Sequence, residues 1–478
     1  MLNQSVQLKL SEYTGICEKF VPANHILRRI KENIDFSFVN KLMKNSYCAD
    51  NGRPAYQPEM MVKILFLKMY SDLSDRDVIS RCETDIAFKY FLDVELEDKI
   101  PEYSLLAKFR KNRLTSEMLN DLLSETVSQA IEKGIIRNGA IIVDSTHTRS
   151  KHSPQTASQL LRDMTKKLRQ ELHKTQKEIA VLFPQKPENE EDIFEQINYT
   201  EKLIEALKDE ELITEKARRM YEKIQDTLEV PDLVNLQNEH EQDAKTGHKS
   251  VENSFFGYKE HIAATEKGII TGLSVTNGNV ADNKEFENIV NQSIKNGVAV
   301  ESVAGDKAYS TSEILKYGEE NEIDIIAKLK ENVKYKEYSS DFISFNKDAD
   351  TYECIMGHLA ARRTTKNNGS YEYAFSGSYC TTCPHKKKCI GTKKLKEGYK
   401  RIWSSTKSEL FAKHKAFEQE DKFKDRYKKR YIIEQLNAHL KGIFGMGKTY
   451  GTGLSSMITQ AFLTAFSANV IKITRLAA

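Results

Sequence analysis

Three acidic residues stand in positions suited to metal-assisted chemistry. Asp144 closes a short apolar run, Gly139-Ala140-Ile141-Ile142-Val143, and Asp306 follows a second one that ends in Ala304-Gly305. Glu434 lies in a helical stretch near the C-terminus. Carboxylates at the ends of buried strands, joined by one from a packed helix, converge at one edge of a sheet, where open α/β sheets bind their ligands. Three hard oxygen ligands suit Mg²⁺ or Mn²⁺. Two such ions about 3.5–4 Å apart stabilise the attacking and leaving oxygens of an in-line phosphoryl displacement. Taken singly, each acid has a plainer reading: an Asp after a strand is commonly a helix cap or turn residue, and Glu434 an exposed helix charge.

The neighbours of Glu434 narrow the choice. Tyr427, Arg430, Glu434 and Lys441 have gaps of two, three and six residues. On one continuous helix, expected from about Lys415 to Leu440, about 100° per residue brings them within roughly 60° of one another. An aromatic, a guanidinium, a carboxylate and an ammonium then share a face, which is a face for a metal and a phosphate backbone.

Tyr427-x₂-Arg430-x₃-Glu434-x₆-Lys441 resembles the Y-R-E-K pattern of bacterial insertion-sequence DDE transposases. Val143-Asp144-Ser145-Thr146 is similar to the first-Asp motif of that group, and Gly305-Asp306-Lys307-Ala308-Tyr309 to its second. Ala308 stands where Gly is more common. Phe256-Gly257-Tyr258-Lys259 and Val275-Thr276-Asn277-Gly278-Asn279-Val280-Ala281-Asp282 also resemble these proteins. The resemblance implies a ribonuclease-H-like catalytic domain that cleaves double-stranded DNA at element ends and joins the 3′-hydroxyl to target DNA. It implies Asp144, Asp306 and Glu434 as ligands of two Mg²⁺ or Mn²⁺ ions. Tyr427, Arg430 and Lys441 would hold DNA phosphates, with Lys259 and Lys307 as further candidates. Synapsis of two DNA ends implies a homodimer on DNA. Two rivals remain: a hydrolytic nuclease on the same fold, and a catalytically idle DNA-binding derivative.

The elements that must position these residues read as an α/β fold with insertions. Residues 1–130 read as helices. Pro58 opens an apolar-periodic segment, Ser74 is a candidate N-cap, and the helix beginning near Pro101 ends in basic turns. These fit a helix-turn-helix type of DNA reader or an ordinary helical bundle. The catalytic part is expected from 135–150 with 250–330 and 412–475, a mixed sheet with flanking helices. Residues 151–248 read as a coiled-coil-like helical hairpin, with its turn at Phe183 to Asn189. Residues 331–411 read as a small β-rich insertion carrying Cys380-x₂-Cys383-x₅-Cys389. Those three thiols are one short of a structural Zn²⁺ site; Cys354, His358 or His385 would supply the fourth ligand, and three reduced thiols are the alternative.

The bulk composition sets limits. The chain has 478 residues, enough for two to four domains, with 39% hydrophobic and 29% charged residues. The net charge is only +3, but His385 to Lys441 holds 18 Lys/Arg against 7 Asp/Glu. Such a stretch attracts phosphate backbones. Seven cysteines do not make a disulfide framework in a chain this long. The apolar runs are shorter than a membrane span needs, and Met1-Leu2-Asn3-Gln4 begins no secretory signal, so a cytoplasmic protein away from membranes is expected.

Overall fold

The structure is a computed structural model that describes residues 15–48, 54–238, 241–248, 253–330, 341–346, 348–365, 370–390, 398–405 and 408–477. The reading of the N-terminus rests on Met1 to Gln4, which lie outside the described residues. Ile and Val fill the run after Gly139, and β-branched side chains fit a sheet covered on both faces. They form β1 (Ala140–Arg149), the middle of a six-stranded sheet with β2 (Lys245–His248), β3 (Ser254–Thr265), β4 (Ile270–Asn277), β5 (Ser302–Ala304) and β6 (Asp324–Ile326). β3 runs antiparallel to β1 from Ile141↔Thr265 to Arg149↔Gly257 and carries β2 and β4 on its other edge. β5 is parallel to β1, and β6 is parallel to β5.

Eight helices precede β1 among the described residues: α1 (Ile16–Phe20), α2 (Ile26–Asn33), α3 (Phe38–Met43), α4 (Pro58–Tyr70), α5 (Asp75–Thr84), α6 (Ile86–Phe91), α7 (Tyr103–Arg113) and α8 (Ser116–Glu132). Pro58 sits in the first turn of α4, and Ser74 Oγ caps α5 by accepting from the Asp77 N–H at 3.1 Å. Between β1 and β2 lie α9 (Ala157–Thr175), α10 (Ile193–Ala206) and α11 (Glu215–Leu228). The expected two-helix hairpin is thus a three-helix bundle. Its second apolar series breaks after Ala206, because Leu207 and Leu212 of the connection turn into the same core as Leu161, Leu168, Leu203 and Ile224.

α12 (Phe286–Lys295) and α13 (Ser312–Glu320) cover one face of the sheet, packing Phe286, Ile289 and Leu315 on Ile141, Val143 and Val303. The β-rich insertion contains a β7 (Ile343–Asn346) and β8 (Thr351–Cys354) hairpin. Beside it β9 (Arg362–Thr365), β10 (Ser370–Ser376) and β11 (Tyr399–Ser405) form a second small sheet, with the one-turn helices α14 (Gly377–Thr381) and α15 (Lys386–Ile390) between β10 and β11.

The long helix expected from about Lys415 to Leu440 is three helices, α16 (Ser408–Phe417), α17 (Asp421–Lys428) and α18 (Tyr431–Gly442). The first break has a visible cause. The buried Glu418 carboxylate accepts from the Leu329 N–H at 2.7 Å, and His414 bonds the Ala327 carbonyl at 2.8 Å, so α16 is tied to the end of β6. The second break, at Lys429 and Arg430, turns the chain so that α18 lies against β1.

The last helix, α19 (Leu454–Leu476), is long and apolar enough to cross a membrane by length and composition, which the reading of short apolar runs missed. It is apolar because it is buried, 72% of that window being inside the protein. It packs on α4, α8 and β4. Phe36 meets Phe66, Phe91 and Phe466 edge-on, at centroid distances of 6.2, 5.6 and 6.0 Å. The N-terminal helices therefore share one hydrophobic core with α19 and the second face of the sheet.

Candidate active site

The register of β1 and β5 brings the two aspartates together. Ile142 is paired with Ala304, and each Asp follows its paired residue by two positions. Asp144 is not at the end of its strand as expected. β1 continues to Arg149 because β3 stays paired with it, and Asp144 sits where β5 leaves it. Beyond β5, Asp306 begins a 3-10 turn, Lys307–Tyr309, and accepts from the Ala308 N–H at 2.7 Å. The capping role and a place in the site are thus compatible.

Burial pushes the Asp144 carboxyl up to about 6, and the charges of Asp306 and Asp282 push the same way. The Ser145 N–H and the Arg430 guanidinium pull against them. A half-buried carboxylate beside two others is short of positive charge, and a divalent cation supplies it. The Asp144 and Asp306 pair therefore fits a hard metal.

Glu434 stands differently. Its side chain is 63% exposed and lies 3.7 Å from the Arg430 guanidinium. Among the described residues no three His, Cys, Asp or Glu side chains are gathered closely enough to hold a metal ion. The structure thus gathers Asp144 and Asp306 and leaves Glu434 on the adjoining helix, paired with an arginine. The contact from that helix to Asp144 is Asn437, one turn beyond Glu434, whose Nδ2 donates to Asp144 Oδ2 at 3.0 Å.

The single helix face expected for Tyr427, Arg430, Glu434 and Lys441 does not exist, since the helix breaks at Arg430. The break joins them in another way. Arg430 donates to the Tyr427 hydroxyl at 3.2 Å on one side and faces Glu434 on the other. Tyr427 is stacked on Phe423, and the Lys328 ammonium lies 4.7 Å from the Tyr427 ring centroid. Lys441 reaches His147 Nδ1 at 3.3 Å. Lys307 is exposed in the turn after Asp306. Lys259 is turned inward, donating to the Val280 carbonyl and to Asp282 Oδ1, both at 2.8 Å.

Asn437, Tyr309, Asp282 and Lys328 were not assigned from sequence. Tyr309 is buried behind the aspartates with its hydroxyl unpartnered, and burial holds that hydroxyl well above the usual tyrosine range. Tyr309 and Asp282 belong to motifs visible in the sequence, and Asn437 follows Glu434 at a helical i,i+3 spacing. Only the fold shows that Lys328, just past β6, comes beside Tyr427.

Elsewhere, Arg110 of α7 pairs with Asp75 at 3.0 Å, and the Arg113 guanidinium covers the Tyr47 ring at 4.5 Å, leaving Lys108 and Lys111 exposed on that basic helix. Cys354, Cys380, Cys383 and Cys389 are free thiols around one small cavity of the β-rich insertion, together with His358 and His385.

Two family models match the chain. Residues 16–112 match one described as a transposase domain (DUF772), and residues 137–470 match one described as a transposase DDE domain. No curated protein matches the chain significantly. The second model takes in β1, β5 and α18, and with them Asp144, Asp306 and Glu434. On these matches, which cover most of its length, the chain belongs to the insertion-sequence DDE transposases.

Proposed function

We propose that this transposase cleaves DNA strands at the ends of its element and joins the freed 3′-hydroxyl to target DNA, using Asp144, Asp306 and Glu434. The observation that carries this reading is the shared register of Asp144 and Asp306, with α18 packed on β1 and bonded to Asp144 through Asn437. The sheet order, antiparallel β4, β3 and β1 followed by β5 and β6 parallel to β1, with the short β2 added beside β3, supports a ribonuclease-H-like domain. Two Mg²⁺ or Mn²⁺ ions held by the three acids would supply Lewis acidity and lower the pKa of the attacking hydroxyl or water.

The protein's own groups do the positioning. Asn437 fixes the Asp144 carboxylate, and Arg430, with Tyr427 beneath it, presents a planar donor set to a phosphate. Lys328, Lys307 and Lys441 add point charges along the same edge. Glu434 joins the aspartates when a bound phosphate draws Arg430 away from it. A dimer that pairs two ends completes the reading.

The test uses DNA flanking the gene as substrate, with Mg²⁺. The expected products are strands cut at the element boundary and, with target DNA added, joined strands. Nicked products that never join would replace this reading with a hydrolytic nuclease.

A further inference from the structure

The β-rich insertion has a weak core. Its core cluster, among the described residues, is Ile343, Tyr352, Tyr373, Phe375 and Ile402, with Phe342, Phe345 and Tyr371 packed against it. A core of that size does not hold small sheets together by apolar burial alone, and such units commonly rely on a disulfide or a metal. The four cysteines are free thiols, so no disulfide serves here.

The thiols reach one place from separate segments. Cys354 ends β8, Cys380 belongs to α14, Cys383 follows it, and Cys389 belongs to α15. All four line a single cavity of about 30 Å³ walled by Phe342, Phe375 and Tyr379. Cys354 opens a tight turn: the Gly357 N–H donates to the Cys354 carbonyl at 2.7 Å, and Gly357 takes a left-handed φ of +79°. The nearby histidines are engaged by aromatic rings. His358 stacks on Tyr379 at 4.1 Å, and His385 lies 5.5 Å from Phe342. Lys400 donates to the Cys389 carbonyl at 2.9 Å and to its sulfur. The sulfurs surround the cavity without converging on one point, since no ready metal-holding group exists among the described residues. Side-chain rotation around the cavity is what binding would require.

We propose that Cys354, Cys380, Cys383 and Cys389 form a structural zinc site that ties the β7–β8 hairpin to the α14–α15 segment. Four soft thiolates select Zn²⁺ over Mg²⁺, and a closed tetrahedral set leaves no open position for catalysis. The site is therefore separate from the carboxylates and does not depend on the function proposed above.

The test is the metal content of the full-length protein, purified after growth with zinc, together with its cobalt spectrum. About one zinc per chain is expected, retained in Asp144→Asn and lost in Cys383→Ser and in Cys354→Ser. Cobalt added to zinc-stripped protein should give the intense absorption bands of cobalt bound by thiolates. Zinc well below one per chain without those bands overturns the proposal. So does zinc retained by both serine variants. Should those variants fail to fold, the content and cobalt spectrum of the unmodified protein decide.

Discussion

Asp144 is held by a hydrogen bond that the order of motifs does not reveal. Asn437 donates to it from α18, and its own Oδ1 is buried without a partner. A residue that orients a ligand alters metal affinity by about 10–100-fold. Asn437→Ala is therefore expected to raise the Mg²⁺ concentration needed for half-maximal cleavage by about tenfold, with DNA affinity unchanged. An unchanged Mg²⁺ titration would remove Asn437 from the site. Glu260 of β3 is a second buried acid, opposite Thr146 in the β1 register. Burial pushes its carboxyl from 4.5 up to about 8, against the pull of Thr148 and Lys441. The unfolded chain releases this proton near pH 4.5, whereas the folded chain keeps it to about pH 8. Stability therefore falls between those values and levels off above them. Glu260→Gln should flatten that decline and raise stability at pH 8 by on the order of 2–4 kcal/mol, read from denaturant melts across the range. Asp144, Asp306 and the Tyr427-to-Lys441 spacing were visible because acids after apolar runs and fixed spacings are local patterns. Asn437 and Lys328 were not, because their roles depend on which element packs against which.

At the scale of elements, periodicity located apolar stretches better than it located breaks. The Pro58 helix start and the Ser74 cap are local signals and stand where the pattern puts them. The breaks at Phe417, Arg430 and Ala206 leave no such trace. The first is set by a distant partner, the Leu329 N–H for Glu418, where propensity alone would continue the helix. The glycine-rich loop after α18 has its own constraint. Gly445 has a φ of +66°, and a Cβ there would collide with the Tyr450 hydroxyl and the Asp72 carboxylate, which are bonded to each other at 2.7 Å. That bond latches the loop to the end of α4. Gly445→Ala is expected to cost about 1–3 kcal/mol in thermal or denaturant unfolding. A neutral effect would show that the loop is not fixed by this latch.

At the scale of the molecule, the sheet has two cores, and both draw on the helices before β1: one takes in Val127 of α8. The other runs from Leu27 and Phe36 through α4 and α8 to α19 and the sheet. A charge or composition scan sees the N-terminal helices as a separate domain, since shared burial leaves no mark along the chain. The three-helix bundle is different. It has its own core, and its entry and exit are adjacent, with the Gln155 N–H donating to the Gln237 carbonyl at 2.7 Å. Joining Gln155 to Gln237 through a short glycine linker should leave the remaining protein folded, with its unfolding midpoint lowered by no more than a few degrees. Aggregation or loss of a cooperative transition would show that the bundle supports the sheet.

The most direct measurement is Mg²⁺-dependent strand cleavage by Asp144→Asn, Asp306→Asn and Glu434→Gln, each compared with DNA binding by the same preparation. Each variant is predicted to lose cleavage by about a thousandfold or more while binding element-end DNA like the unmodified protein. Glu434→Gln cutting at an undiminished rate would contradict the account, since it would leave Glu434 as the surface partner of Arg430 and nothing more.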